Sequence, residues 1–255
     1  MNFFIDDFCW SYSRLQAFKT CKHMFYLEYI KSQRKKKIDG FFGLFGTYCH
    51  EILEKYAKEE LLIFELYDYY KRNYKRNIKM KAPPNKWVNL DEKYFNAGAE
   101  YFKHFSGFDN YKILGIEENH YFNIENFKFR AIIDLLLQDK NENIIILDHK
   151  TKGKLTKKQK EELLLQLYIY SIPIIEKYGK YPKKLIFNMI RMNDAIIEEF
   201  DPEKIELAKN WALNMIGEIR REDEWEGNLD FFFCKYICSH RTQCKYLKEI
   251  GGNFR

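Results

Sequence analysis

The chain has 255 residues, which is long enough to bury a substantial hydrophobic core. Hydrophobic residues make up 46% and charged residues 31%, a globular composition that excludes a fibrous or disordered protein. Its 43 basic and 37 acidic residues give a net charge of +6, and the basic residues are gathered in clusters. The longest apolar runs, such as residues 144–147, are too short to span a membrane. Composition alone leaves both an enzyme and a binding protein open.

The start of the chain indicates its compartment. Asp6 and Asp7 lie where a secretory signal needs a basic segment, so the segment does not resemble such a signal. We therefore expect a cytoplasmic protein, in the host cytoplasm if a phage encodes it. In a reducing compartment the six cysteines are expected to be thiols or ligands, not disulfides.

Three of the cysteines crowd into the end of the chain. Cys234, Cys238 and Cys244 follow the spacing Cys-x3-Cys-x5-Cys in a short, turn-rich tail. A tetrahedral metal ion or a cluster needs a fourth ligand. The candidates for it are Cys9, Cys21, Cys49 and His240. Spacing alone does not separate a zinc site from an iron–sulfur cluster.

Helical periodicity dominates the first part of the chain. Apolar residues recur at helical spacing in three segments, residues 11–37, 47–64 and 90–105. Ser11 or Ser13 is suited to cap the first of these helices. Residues 67–86 are dense in Lys, Arg and Tyr and end at Pro83 and Pro84. We regard residues 61–107 as a helical insertion.

The pattern changes to β-structure after residue 110. Segments rich in β-branched and aromatic residues predict three antiparallel strands over residues 111–122, 127–138 and 143–150. A helix is predicted next, over residues 157–172. Strands at 184–192 and 195–200 and a helix up to residue 221 complete the pattern. This order predicts an α/β or α+β fold with a mostly antiparallel start.

Two acidic residues and a lysine interrupt the apolar second and third strands. If the turn is symmetric about Asn141, then Asp134 and Asp148 face each other, with their Cβ atoms roughly 5 Å apart. Lys150 shares a face with Asp148 because strand side chains alternate. Two carboxylates that close repel unless a cation lies between them, and oxygen ligands favour Mg²⁺ or Mn²⁺. The alternative interpretation is an ordinary Asp–Lys ion pair at a strand end.

Further candidates surround this hairpin. Gln166 and Tyr170 are four residues apart on one helix face, where they could contact DNA or simply belong to an amphipathic helix. His50 is either a metal ligand or a packed helical histidine. The side chain of His149 points to the opposite strand face, so only its backbone carbonyl is expected to reach a metal.

Three basic segments suit a polyanion. They cover residues 31–37, 71–81 and 150–160, and the second is interleaved with tyrosines. Such clusters can bind a nucleic-acid backbone, although a charge run can also be a solvated helix face. The third segment begins at Lys150, which favours a nucleic acid as the ligand.

Together these motifs resemble RecB-type nucleases of the PD-(D/E)XK superfamily. Residues 11–15 and 21–29 resemble the N-terminal signature of that family, and residues 46–50 its Gly-x-x-x-His helix. Asp134 with residues 148–150 resembles the catalytic core, and residues 166–170 the Gln-x-x-x-Tyr motif. The family's usual Gly before the first catalytic Asp is Ala131 here, and the Pro after the first cluster cysteine is Lys22.

The cysteines resemble the iron–sulfur branch of the family, which includes the AddB C-terminal nuclease and CRISPR-associated exonucleases. In that branch one upstream cysteine and three near the C-terminus hold a 4Fe–4S cluster. The resemblance implies that the cluster ligands here are Cys21, Cys234, Cys238 and Cys244. Residues 11–37 and 222–255 would then form a clamp from both ends of the chain, leaving Cys9 and Cys49 as core thiols.

The resemblance also implies a fold and an activity. It implies a single nuclease domain over residues 1–255, with a restriction-endonuclease-like αβββαβ core, added N-terminal helices and a cysteine-rich tail. It further implies a DNA exonuclease that uses Mn²⁺ or Mg²⁺, bound by His50, Asp134, Asp148 and the His149 carbonyl. Lys150 would assist the attacking water, and Gln166 and Tyr170 would position DNA.

Two other hypotheses stay open on the sequence. One is a non-catalytic adaptor that binds DNA ends in a recombination or CRISPR adaptation complex. The other is a zinc-stabilised nucleic-acid-binding protein. The protein partner left open is a helicase, a recombinase or a CRISPR integrase, and no membrane partner is expected.

Overall fold

The computed structural model describes residues 7–31 and 37–251 of the chain. The α-helices are α1 Tyr12–Thr20, α2 Lys22–Phe25, α3 Phe41–Ala57, α4 Leu66–Asn77, α5 Leu90–His104, α6 Lys157–Tyr178, α7 Glu203–Arg221 and α8 Lys245–Glu249. The strands are β1 Lys112–Ile124, β2 Phe127–Gln138, β3 Ile144–Lys150, β4 Lys184–Met189 and β5 Asp194–Glu199. The 3-10 segments are Ile63–Glu65 and Ile190–Met192, and the π-helical segments are Tyr26–Ile30 and Phe233–Ile237.

The strands form one mixed sheet in the order β1-β2-β3-β4-β5. β3 and β4 run parallel, and the other neighbouring pairs are antiparallel. The parallel pair needs a crossover, which α6 supplies. The predicted α/β fold with an αβββαβ core is therefore confirmed, and so is the antiparallel pairing predicted for β1 to β3.

The larger core lies on the sheet face that α1, α6 and α7 cover. Its fully buried side chains include Trp10, Leu15, Phe129, Leu167 and Phe187. α6 contacts both α7 and the sheet, which explains why nearly all of residues 163–174 are buried. β3 is buried on both faces, which is why it reads as an almost continuous apolar run.

A second core joins α3, α4 and α5. It is rich in aromatic residues, among which Phe45, Tyr48 and Tyr70 are fully buried. Buried Ile190, which directly follows β4, packs in the same core. The described part of residues 61–107 thus contributes α4 and α5 to a packed core. No helix in the described ranges is long and apolar enough to cross a membrane.

Helix boundaries differ from the predicted ones at three points. The predicted helix over residues 11–37 is interrupted at Cys21, whose extended backbone lets its sulfur cap α2 by accepting from the Met24 amide at 3.4 Å. Residues 32–36, most of the first basic segment, lie outside the described residues. α3 begins at Phe41 and ends at Ala57, so the predicted helix over residues 47–64 starts too late and runs too far. Burial carries α6 past Pro173 to Tyr178, and Gly179 ends it with φ 67°.

Two helical glycines differ in the space around them, so we predict opposite effects of replacing each one with alanine. A Cβ at Gly98 of α5 would lie 2.3 Å from the hydroxyl oxygen of buried Tyr70, whereas a Cβ at Gly217 of α7 would lie 3.5 Å from the Arg221 guanidinium. We expect Gly98→Ala to lower the free energy of unfolding by about 1–3 kcal/mol through overpacking. Gly217→Ala should raise it by up to about 1 kcal/mol through helix propensity. Urea denaturation measures both, and stabilisation by Gly98→Ala would contradict this packing of α5 on α4.

Candidate active site

The β2–β3 hairpin has the predicted register. Leu135 pairs with Leu147 and Leu137 with Ile145, which is symmetric about Asn141. The paired ladder ends at Leu135 and Leu147, one step before the two acidic residues. There the Asp134 carboxylate accepts a hydrogen bond from the His149 backbone amide at 2.7 Å. A side chain of β2 thus satisfies a backbone group of β3 where the two strands stop pairing.

Asp148 lies at the centre of a buried hydrogen-bonded set. Its side chain is 4% exposed, and its Oδ2 lies 2.5 Å from the Lys150 ammonium. Gln166 of α6 donates from Nε2 to Asp148 Oδ1 at 2.7 Å and to the Tyr170 hydroxyl at 3.0 Å. One amide group can serve two acceptors because it carries two hydrogens. α6 therefore holds the carboxylate of β3 in a fixed orientation.

Gln166 and Tyr170 are both buried in this arrangement. Burial, followed by the charge of Asp148, raises the pKa of Tyr170, so its hydroxyl keeps its proton. Their observed contacts are with Asp148 and with each other, so this placement favours orienting the carboxylate over touching DNA directly.

His50 approaches the same centre from α3. Gly46 makes this possible, because a Cβ there would lie only 3.2 Å from Thr151 Oγ1 in the loop after β3. One helical turn later, His50 Nδ1 lies 3.5 Å from Asp134 Oδ2. Burial lowers the pKa of His50, which favours the neutral imidazole that metal ions bind.

His149 faces away from Asp148, as the strand alternation predicts. Its ring is buried and packs edge-on against His50, with ring centroids 5.5 Å apart. Its Nδ1 lies 2.8 Å from the Asn188 side-chain nitrogen. Burial lowers the pKa of His149 well below its ordinary value. The His149 ring thus packs against the His50 ring and supports its position.

Glu117 of β1 also belongs to this site, although no motif in the sequence marks it. One ligand atom each from His50, Glu117 and Asp134 lies within 4.8 Å of the others. Glu117 has a left-handed backbone, with φ 50°, and its neighbours pair with residues 133 and 135. The register therefore places it opposite Asp134. The only sequence signal is an acidic pair, Glu117-Glu118, within a β-rich segment.

Carboxylates dominate the electrostatics of the centre. Burial, and next the charge of Asp148, raises the pKa of Asp134. Burial also raises the pKa of Glu117, with Glu54 and Asp148 adding to the shift. Oδ2 of Asp148 is buried and, among the described residues, has an ion pair with Lys150 but no hydrogen bond. One imidazole and two carboxylates within 4.8 Å of one another, with the charge of Asp148 acting on both carboxylates, fit a divalent cation, because its charge offsets their repulsion.

The four predicted cluster ligands meet at a second place. Cys21, Cys234, Cys238 and Cys244 are buried and line one small cavity together with His23 and His240. The sulfur of Cys21 accepts from the backbone amides of Met24 at 3.4 Å and Asn228 at 3.3 Å. Cys9 and Cys49 do not line this cavity, and Cys49 is buried in the core of α3 to α5.

The four cysteine sulfurs are less closely grouped than the ligand atoms of His50, Glu117 and Asp134. Within residues 7–31 and 37–251, no three of the four sulfurs lie within 4.8 Å of one another. A zinc ion bound at about 2.3 Å would hold four tetrahedral sulfurs about 3.8 Å apart. As placed, the four sulfurs line one cavity without forming the closed tetrahedron of a zinc site.

The sequence of the chain matches a known protein family. A family model for the PD-(D/E)XK nuclease superfamily matches residues 9–245. No curated protein matches the chain in sequence. A candidate exonuclease from Eubacterium rectale has a similar structure, with a TM-score of 0.47 and 10% identity over 97% of this chain and 90% of that one. SSO0001 is also similar, with a TM-score of 0.35 and 14% identity over 91% and 94%.

The raised pKa of Asp134 predicts the effect of Asp134→Asn on the metal-free protein. Between the pKa of an unfolded aspartate, about 3.9, and the higher folded pKa, the folded state binds more protons, so its stability falls as pH rises. Asn removes this loss and can still accept from the His149 amide. We expect a melting temperature several degrees higher than wild type at pH 7 in EDTA, and no difference below about pH 4.

Calorimetry between pH 4 and 8 measures this difference. Asp139→Asn is the matched control, since hydrogen bonds from Asn143 lower the pKa of that exposed carboxylate and its loss should destabilise the protein at pH 7. A lower melting temperature for Asp134→Asn at pH 7 would contradict the assigned burial and repulsion.

Proposed function

The chain belongs to the PD-(D/E)XK nuclease superfamily, and we propose that it is a metal-dependent deoxyribonuclease that acts as an exonuclease on DNA ends. The observation that carries this proposal is the convergence of His50, Glu117, Asp134, Asp148 and Lys150 at one end of the sheet. Such a set has the ligands for a divalent cation and a cation of its own beside them. An ordinary Asp–Lys ion pair would need no third and fourth polar partner from other elements.

Four side chains would hold the Mn²⁺ or Mg²⁺ ion. They are His50, Glu117, Asp134 and Asp148, with the His149 carbonyl as a further oxygen ligand. When bound, the ion supplies a Lewis acid for a phosphoryl oxygen and lowers the pKa of a bound water. Glu117 is our addition to the ligands that the family resemblance implies.

The remaining residues act on the substrate or on the ligands. Lys150, whose ammonium lies 2.5 Å from Asp148, is suited to orient the attacking water and to stabilise charge on the phosphate. Gln166 donates to Oδ1 of Asp148, the oxygen that does not face Lys150, and Tyr170 accepts from Gln166. Both residues thus act through Asp148. Both are therefore positioning residues in this proposal.

DNA as the substrate is supported by two clusters of exposed positive charge. Lys71, Arg72, Lys75 and Arg76 are exposed along α4. The loop after β3 and the start of α6 carry Lys152, Lys154, Lys157 and Lys158, all exposed, and begin at the proposed catalytic lysine. Phosphate backbones bind such surfaces by releasing counterions, so affinity should fall steeply with salt.

Substitution of the two residues on β3 separates metal binding from chemistry. We expect Asp148→Ala to lose Mn²⁺ binding and to lower cleavage of end-labelled DNA by at least about a hundredfold. Lys150→Ala should lose cleavage to a similar extent while it still binds Mn²⁺, because the ammonium contributes no metal ligand. Calorimetric Mn²⁺ titration and a cleavage assay on single- and double-stranded DNA measure the two effects.

Lys183→Ala is the matched control, since its side chain is 59% exposed just before β4, at the end of the sheet opposite Lys150. Cleavage by this variant should stay near the wild-type rate. Cleavage by Asp148→Ala or Lys150→Ala at the wild-type rate would rule out this active site. Wild-type products shortened stepwise from one end identify an exonuclease, and internal cuts identify an endonuclease.

The cysteine cradle is proposed to hold a 4Fe–4S cluster. Support comes from four buried cysteines around one cavity and from amide donors to the Cys21 sulfur. A shared cluster would join residues 213 positions apart and so restrict the unfolded chain (234 − 21 = 213). We assign it a structural role, not electron transfer.

Removal of one ligand tests the cluster. Cys238→Ala, purified anaerobically, should lose the brown colour and visible absorption of wild type and become less soluble, because the buried thiolates lose their common partner. Cys9→Ser is the control and should stay coloured, since Cys9 lies outside the cavity. Iron and zinc analysis accompanies the spectra. A colourless wild type that contains zinc, or a soluble, fully active Cys238→Ala, would contradict the assignment.

A further inference from the structure

A groove of about 520 Å³ begins at the residue after Lys150. The loop after β3 forms its floor with Thr151 and Lys152, and α5 and the cysteine-rich tail form its walls with Tyr94 and Phe232. None of the lining side chains is acidic, and two are cationic, Lys152 and Arg191. The groove is therefore a positively charged, partly aromatic extension of the proposed active site.

Arg191 is held rigidly in this groove. Its guanidinium carbon lies 3.9 Å from the centre of the Tyr94 ring, and its Nη1 donates to the Tyr94 hydroxyl at 2.6 Å. Among the described residues, no carboxylate lies within ion-pair distance of it. A fixed guanidinium without an acidic partner is suited to bind a phosphate group.

Aromatic side chains stand beside this cation. Phe42 contacts Phe232 and Tyr94, with ring centroids 6.0 Å and 5.4 Å away. Phe232 is 43% exposed, a large apolar area for a residue next to two cations. An aromatic face in a basic groove is the arrangement on which proteins stack unpaired bases.

A second groove at the metal site has the opposite charge. It is lined by His50 together with Glu51, Glu54 and Glu117, and none of its lining residues is a lysine or an arginine. Without a bound cation its carboxylates repel phosphates, so in EDTA this groove favours no DNA backbone. In the proposed complex the cation would hold the cleaved phosphate there, and the Arg191 groove suits the neighbouring nucleotide.

We propose that the Arg191 groove is a nucleotide subsite for an unpaired residue of the DNA substrate, next to the phosphate that is cleaved. Phe232 stacks on the base, and Arg191 and Lys152 bind the flanking phosphates. The volume suits one nucleotide, since pockets of this size hold small ligands. The inference rests on the proposed nuclease function and specifies the form of DNA that the site holds, because a base inside a duplex has no free face to stack on Phe232.

Binding in EDTA tests the subsite without cleavage. Fluorescence anisotropy with a labelled oligothymidylate measures affinity for wild type, Phe232→Ala and Arg191→Ala. We expect each variant to bind about fivefold to a hundredfold more weakly, the range for loss of one stacked base. Phe64→Ala is the matched control, because Phe64 is 76% exposed but lies in another groove, and it should bind like wild type.

An abasic scan locates the stacked base. One abasic residue is placed at each position of the oligonucleotide in turn, and one position should weaken wild-type binding by the same factor. In Phe232→Ala that abasic residue should cause no further loss, because base and ring form one interaction. An abasic penalty that persists in Phe232→Ala, or unchanged binding by both groove variants, would overturn the subsite.

Cleavage by the same preparations in Mn²⁺ is recorded separately. If wild type binds as expected but does not cleave, the nuclease proposal fails and the subsite stands. If wild type cleaves while both groove variants bind normally, the subsite fails and the nuclease proposal stands.

Discussion

The repulsion between three carboxylates is the constraint on which the site depends. The sheet brings these carboxylates together where they are largely shielded from water. Glu117, Asp134 and Asp148 come from three neighbouring strands, and burial makes their negative charges costly. The contacts around them each reduce that cost. The His149 amide donates to Asp134, while Lys150 and Gln166 divide the two oxygens of Asp148 between them. A divalent cation would remove most of what remains.

Helices from distant parts of the chain complete this centre, and apolar packing holds them there. α3 can approach the end of β3 because Gly46 has no side chain, and this approach brings His50 to Asp134. α6 is buried over residues 163–174, and from this segment Gln166 donates to Asp148. The packing of both helices is thus inseparable from the geometry of the site.

The two ends of the chain meet near the cysteine cradle, and protein contacts alone already join them. Asn228 donates to the Thr20 carbonyl at 3.0 Å, and Arg241 donates to the Ile38 carbonyl at 2.8 Å. Phe232 lies two residues before Cys234, so whatever fixes the cradle also fixes one wall of the proposed nucleotide subsite. In our proposals a structural cluster therefore contributes to substrate binding by ordering the tail.

The local pattern of the sequence determined the elements of the sheet and the register of its hairpin. β-branched runs separated by polar turns specify β1, β2 and β3, and the length of the turn places Asp134 beside Asp148. The four cysteines, His50 and Gln166 could be selected because each stands in a short motif. The broken helix at Cys21 and the extension of α6 past Pro173 could not, because packing overrides local propensity there.

Only the tertiary structure decided which residues share a site. Glu117 carries no motif, and it reaches His50 and Asp134 through the register of β1 on β2 and a left-handed backbone at one residue. Arg191, Tyr94 and Phe232 come from three separate segments, and no spacing in the sequence connects them. The physical reason is that hydrophobic periodicity and turns are local properties, whereas a ligand site depends on distances between elements that only packing sets.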